Sequence, residues 1–267
     1  ALEVGVFASY IALSRAVFEG GDTRIGWRES RQINLAALAA TRLFAAAGAG
    51  GVALTAWALR RSGMESRTVA HRLIAFLVLL YGVYMLSLVI DGLGIYTGVF
   101  PGESPFALTI VPAVFGAGVI AIFLAMSLLP GDVERWVGRW TKGSGRLGRL
   151  ARRLATAPAT AATGVRTAIS LVRTRNPWLL TAITYWGCDI AVLWACFHAF
   201  GSAPEIPVVV MCYFVGMLGN TLPLPGGIGG VDGGMIGAFI AFGAHSGVAI
   251  VAVLAYRAFA FWLPTLP

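Results

Sequence analysis

Long apolar runs broken by short charged stretches set out this chain. Leu73 to Ile90, Phe106 to Leu129 and Trp178 to Phe200 are almost free of ionisable groups. Each is close to the ~20 residues that a helix needs to cross a bilayer. Residues 1–14 read as the end of a further span, and Val248 to Pro267 as a last one. Two other apolar regions do not fit a single crossing. Residues 206–243, taken as one helix, would be roughly 55 Å long against a hydrocarbon layer of about 30 Å, and as two spans each half is short. Residues 33–60 hold an Ala-rich stretch, Asn34 to Ala47, then Gly48-Ala-Gly-Gly51, then Val52 to Leu59. One tilted span would accommodate that region, but basic stretches at both of its ends favour a hairpin that enters and returns.

The chain is organised around Asn220 to Gly234, which holds two prolines, six glycines and Asp232 inside an apolar region. Proline removes a backbone donor and clashes with the preceding turn, while glycine opens conformations closed to other residues. Broken backbone survives at membrane depth only when buried in protein or lining a wet cavity. The expectation is a re-entrant element at a site, and the alternative is a tight loop at the membrane surface. The fold class is therefore all-α: a polytopic membrane protein with about five full spans and two re-entrant helical hairpins. Three parts follow, a first repeat at 1–96, a connecting span with a basic segment at 97–176, and a second repeat at 177–267.

Composition agrees. The 267 residues are 58% hydrophobic and only 12% charged, against about 25% charged in a soluble domain. The formal charge of +8 would suit nucleic acid, but 18 of the 20 Lys/Arg fall in segments 15–31, 60–72 and 135–175, beside the apolar runs. That is the positive-inside pattern, so these segments are expected in the cytoplasm of a bacterial-type inner membrane, with the anionic leaflet and not nucleic acid as partner. Loops 91–105 and 201–207 carry Asp91, Glu103 and Glu205 but no Lys or Arg and are expected outside. Segment 132–175 interleaves Arg135, Arg139, Arg149 and Arg153 with Trp136, Trp140, Leu147 and Leu154, as a basic amphipathic stretch on a membrane surface does. Cys188, Cys196 and Cys212 show no ligand spacing, so packed thiols are expected, with no metal or cofactor. The chain opens and closes within apolar runs, which suggests a piece of a longer polypeptide.

The two halves look alike. Gly48-Ala-Gly-Gly-Val52 aligns with Gly227-Ile-Gly-Gly-Val231, and Ala70-His-Arg72 with Ala255-Tyr-Arg257. The order of span, hairpin, span recurs, and charge counting puts the hairpins on opposite faces. Inverted repeats of this kind place a site where the broken elements meet.

Ionisable groups inside apolar segments mark candidate chemistry, because each costs roughly 2.5–3.5 kcal/mol on insertion scales. They are Arg42, Arg257, Asp189 and Asp232. Arginine's planar fork suits phosphate, and helix N-termini at the glycine-rich tips would present N–H groups to an anion. Asp232 would face a cationic headgroup or hold Arg257 or Arg42; buried structural ion pairs account for all four equally well. Asn220 would cap broken backbone, and Tyr256 would reach a headgroup. The tips add Gly48, Gly50 and Gly51 on one side and Pro225, Gly226, Gly227, Gly229 and Gly230 on the other.

Leu222-Pro-Leu-Pro-Gly-Gly-Ile-Gly-Gly-Val-Asp232, followed by Ala255-Tyr-Arg257-Ala-Phe-Ala-Phe-Trp262-Leu-Pro264, resembles the lysylphosphatidylglycerol synthase transmembrane-region family, the flippase-like domain of multiple peptide resistance factors and their stand-alone homologues. Thr41-Arg42-Leu-Phe…Gly48-Ala-Gly-Gly51 looks like its looser first half-motif. The resemblance implies a lipid translocase fold that moves a phospholipid such as an aminoacylated phosphatidylglycerol. It departs in having Asp232 where the family usually has Glu, and in lacking a Pro before the first glycines. No soluble aminoacyl-transferase domain follows in this piece, so aminoacyl transfer is not expected of it; no catalytic residue is assigned. A homo-oligomer or a separate lipid-modifying synthase are the protein partners left open. Two alternatives remain: an intramembrane lipid-phosphate enzyme, disfavoured because the tip lacks Ser and Arg, and a transporter of a small polar solute.

Overall fold

A computed structural model describes residues 1–18, 26–43, 49–128, 146–222, 224 and 227–263; for Leu38, Arg42, Leu43, Ala49 and 146–157 it describes the backbone alone. Among these residues there are helices and no strands. In chain order they are α1 Leu2–Phe18, α2 Trp27–Leu43, α3 Ala49–Arg61, α4 Ser66–Tyr96, α5 Phe106–Ser127 and α6 Arg146–Arg173. A 3-10 turn, Pro177–Leu180, leads into α7 Thr181–Phe200; α8 Ile206–Met217 ends in the 3-10 turn Leu218–Thr221. Then come α9 Gly230–Ala241, α10 Ser246–Arg257 and a π-helical turn Ala258–Trp262.

Three of these are long and apolar enough to cross a membrane: Ser66–Tyr96, Phe106–Ser127 and Pro177–Phe200. The chain is an all-α, multi-pass membrane protein. Several boundaries differ from the sequence reading. Arg28 and Arg31 lie in the first turns of α2 and not in a loop, and Arg42 falls in its last turn. Asp91 belongs to α4, which continues to Tyr96, because no Pro breaks the stretch between the apolar run and Thr97. Segment 132–175 is described only from Arg146, so Trp136, Trp140, Arg135 and Arg139 lie outside the described residues. Its second half is not simply laid on a surface: Ala162, Val165 and Ala168 are buried, and Gly164 comes so close to α4 that a Cβ there would stand 2.5 Å from Ile74.

Lipid is as apolar as leucine, so close backbone approach and polar links, more than solvent exclusion, hold such helices together. Glycines supply the approach. A Cβ on Gly92 of α4 would sit 2.4 Å from the Thr109 carbonyl of α5, and one on Gly116 of α5 2.7 Å from the Met85 carbonyl. A Cβ on Gly5 of α1 would stand 3.1 Å from Cys188 Sγ of α7. A polar link joins α1 to α2, where the Asn34 amide donates to Ser14 Oγ at 2.6 Å and to the Ser30 carbonyl at 2.7 Å.

Two helix pairs come close at glycines. In α2–α3, a Cβ on Gly51 would meet the Ala37 carbonyl at 2.6 Å. In α8–α9, Gly219 would meet the Gly230 backbone at 2.4 Å, and Gly216 the Met235 backbone nitrogen at 2.9 Å. The pairing of 216 with 235 and 219 with 230 makes α8 and α9 antiparallel. Each has 12 residues, about 18 Å of helix.

The polar ends of the molecule differ in charge. At one end Trp27 packs edge-on against Trp178 with the Arg15 guanidinium 4.1 Å from the Trp27 ring, and Arg72 donates to the Val17 carbonyl at 2.7 Å. At the other, a Cβ on Gly243 would meet the Glu103 carboxylate at 3.2 Å, and one on Gly201 would meet Val248 at 3.3 Å. The first end carries the arginines. The second, built from loops 97–105, 201–205 and 242–245, carries Glu103, Glu205 and His245 and no Lys or Arg.

Candidate functional site

One cavity of about 460 Å³ opens between these elements. Thr41, in the last turn of α2, lines it from one hairpin. Met217, Leu218, Asn220, Thr221, Leu224 and Gly227 line it from the turn between α8 and α9. Arg257 closes it from the end of α10, together with Ala260 and Phe261 of the π-helical turn. Such turns re-aim side chains off the regular helical face, and this one brings the Phe261 ring to 4.7 Å from the Arg257 guanidinium.

Gly227 and Gly229 shape the approach to α9. Gly227 and Gly229 have φ of +68° and +83°, in the region that disfavours a side chain. A Cβ on Gly227 would also stand 2.4 Å from Asn220 Oδ1. The chain re-enters helix at Gly230, and Asp232 caps that start: its Oδ2 accepts from the Gly229 N–H at 3.0 Å. A carboxylate in the first turn suits the positive end of the helix dipole. The same carboxylate holds Arg257, with Oδ1 2.6 Å from Arg257 Nε. The short reach of Asp serves both contacts.

Asp189 sits at the centre of a second network. It is 7% exposed on α7 and its Oδ2 accepts from the Tyr213 hydroxyl of α8 and from the Tyr256 hydroxyl of α10 at 3.0 Å. Tyr213 and Tyr256 are themselves fully buried. One oxygen thus ties three helices, and Tyr256 precedes Arg257, so the two networks share α10.

Five of the expected residues therefore meet at one cavity: Asp189, Asn220, Gly227, Tyr256 and Arg257. Asp232 stands behind Arg257 and not on the wall. Gly51 and Gly230 make the helix crossings, Gly229 caps α9, and Gly50 lies in the first turn of α3. The Arg42 side chain, Gly48, Pro225 and Gly226 lie outside the described residues. Among the described residues no cluster of His, Cys, Asp and Glu is fit to hold a metal.

Sequence reasoning passed over much of the wall. Glu3, Phe7 and Tyr10 come from one face of α1, Tyr81, Tyr84 and Met85 from α4, Phe115 from α5, and Tyr185 and Trp186 from α7. Glu3 met the test that singled out Asp189, a carboxylate within an apolar run. Its spacing to Phe7 and Tyr10, four and seven residues on, marks a single helical face.

Comparison with known proteins gives a family but little detail. Over 104 residues the chain is 31% identical to a protein named UPF0104 membrane protein from Methanothermobacter thermautotrophicus, a match covering 39% of this chain and 30% of that one. No solved structure matches. The model of the lysylphosphatidylglycerol synthase TM region matches residues 5–267, which takes in both hairpins, the capped turn at Asp232 and the Asp189 network. The chain belongs to the lysylphosphatidylglycerol synthase TM-region family.

Proposed function

We propose that this protein is a lipid translocase that takes a phospholipid headgroup into the cavity between its two hairpins and passes it between leaflets. The observation that carries this reading is that partly exposed residues at the middle of two membrane-crossing helices line the cavity. Tyr81 and Phe115 line it, lie in the middle of α4 and α5, and are 46% and 47% exposed. We read these residues as the rim of a mouth on the flank of two membrane-crossing helices, where an acyl chain would remain in lipid while the headgroup enters. A transporter of a small polar solute has no use for such a flank. A guanidinium at the inner wall, oriented by Asp232 and Phe261, suits a phosphate that must be held and then released.

The architecture supports the same reading. α1, α2–α3 and α4 correspond in order to α7, α8–α9 and α10. The α2–α3 pair has both outer ends near the arginine-rich end of the molecule, and α8–α9 has both near the acidic end. The arms of α8–α9, 12 residues or about 18 Å each, fall short of a hydrocarbon layer of about 30 Å, as those of a re-entrant hairpin do. In this proposal the halves are inverted repeats, the arginine-rich end faces the cytoplasm of a bacterial-type inner membrane, and rocking of one half against the other moves the cavity between faces. The substrate is a phosphate-bearing lipid such as an aminoacylated phosphatidylglycerol, with Arg257 at its phosphate.

The test is leaflet exchange of acyl-labelled phospholipid in proteoliposomes. Arg257→Ala is expected to lower the rate at least tenfold, and Asp232→Ala nearly as far, at unchanged reconstitution yield. Exchange at native rates by both variants would dismiss the reading.

A further inference from the structure

Asp189 lies near the middle of α7, lines the cavity and is 7% exposed. An ionised side chain at that depth is costly, and acids so placed mark proton paths in membrane proteins. Its surroundings are titratable from every side. The helices packed on α7 bring Glu3 and Tyr10 of α1, Tyr81 and Tyr84 of α4, Tyr213 of α8, and Tyr256 and Arg257 of α10 to the cavity or to the Asp189 network. Tyr185 and Cys188 lie on α7 itself. Phenols and thiols are un-ionised near neutral pH, so the charges are Glu3, Asp189 and Arg257, with Asp232 behind Arg257. Among the described residues, carboxylates thus outnumber cations at a cavity that is to receive an anion.

We infer that Asp189 takes up a proton when an anionic headgroup enters, so that phosphate and proton are carried together. The step adds one proton to the carboxylate and leaves the neutral acid; no other covalent bond changes. The inference rests on the translocase reading for the phosphate at Arg257 and adds how the charge of the cargo is balanced. Asp189 and Arg257 line one cavity, and Tyr256, bonded to Asp189, precedes Arg257. Neutralising the acid removes a charge that repels the phosphate, so proton and anion each favour the binding of the other. The network suits both states. With Asp189 ionised, Oδ2 accepts from both hydroxyls. With it protonated, a tyrosine hydroxyl can accept in turn, because a phenol is donor and acceptor. What changes is strength, since hydrogen bonds to a charged group are roughly twice as strong as neutral ones. Protonation therefore loosens the tie between α7, α8 and α10, the helices that rocking must move past one another.

Calorimetric titration of the purified protein with phosphatidylglycerol, in two buffers of different ionisation enthalpy, counts the protons taken up. The phosphodiester stays ionised throughout, so the protons counted are the protein's. Up to about one proton per lipid is expected, with affinity rising by up to about tenfold for each unit that pH falls. Asp189→Asn keeps a carbonyl acceptor for the two tyrosines and cannot take the proton. It is expected to bind the same lipid without uptake and without the pH dependence. Absence of uptake by the native protein overturns the inference and requires no variant. Uptake that Asp189→Asn retains in full overturns it too and moves the proton elsewhere, to Glu3 if Glu3→Gln abolishes it. Leaflet exchange in proteoliposomes under an imposed pH gradient separates this from the translocase reading. Labelled lipid is expected to accumulate in the leaflet on the less acidic side. Uptake on binding with no exchange leaves the proton site standing and removes the translocase. Exchange that ignores the gradient, with no uptake on binding, does the reverse.

Discussion

Asp189 shows how much a single side chain carries in a medium without water. Its Oδ2 takes hydroxyl donors from α8 and α10, and both donors are fully buried. A buried polar group left without its partner costs about 1–3 kcal/mol. Tyr213→Phe removes one donor and leaves the carboxylate with the other; it is expected to cost about 1 kcal/mol and lower the melting temperature in detergent by a few degrees. Asp189→Ala strands both hydroxyls and is expected to cost at least twice as much, which the same melts would register. Asp189 was legible in the sequence as an acid within a span. Its partners were not, because Tyr213 lies 24 residues away and Tyr256 67, and nothing local selects them among seven tyrosines. Asp232 was legible as a charge at the glycine turn, but its choice of Arg257 was one of several pairings the sequence allowed.

Helices of this protein are placed by where a side chain is missing. Gly216, Gly219, Gly230 and Gly234 bring α8 and α9 to backbone contact, and Gly51 does the same for α2 and α3. Gly219→Ala would drive a methyl to 2.4 Å from the Gly230 backbone, which cannot yield as a side chain can. Overpacking of this sort costs typically 1–3 kcal/mol. The expected result is a lower melting temperature and loss of lipid exchange. Gly187→Ala, in α7 with open space around it, is the control and is expected to melt at or above the native temperature. The hairpin over 206–243 was readable from length alone, since the apolar run was too long for one crossing and too short for two. Flanking charge was the basis for expecting a hairpin in the first half; the start of α2 at Trp27 was missed because Arg28, Glu29 and Arg31 look like loop when their helical neighbours are unknown.

At the scale of the whole molecule the charge asymmetry makes a claim about orientation. In a variant lacking Cys188, Cys196 and Cys212, single cysteines at Thr97 and Ser202 are expected to react with a membrane-impermeant maleimide on intact cells. Cysteines at Ser62 and Thr174 are expected to react only after permeabilisation. The opposite pattern would reverse the assigned faces, and labelling of all four would contradict the crossings.

Membership of the membrane class, the spans at α4, α5 and α7, the broken stretch at 220–234 and the basic character of one set of loops followed from residue order. They depend on hydropathy, proline and glycine, which act over a few neighbours. The cavity did not follow. Its walls come from α1, α2, α4, α5, α7, the α8–α9 turn and α10, and which faces of those helices meet is decided by glycine contacts and by hydrogen bonds between residues far apart in the chain. Helical spacing could mark Glu3, Phe7 and Tyr10 as one face, but only packing against α7 made that face the wall of a site.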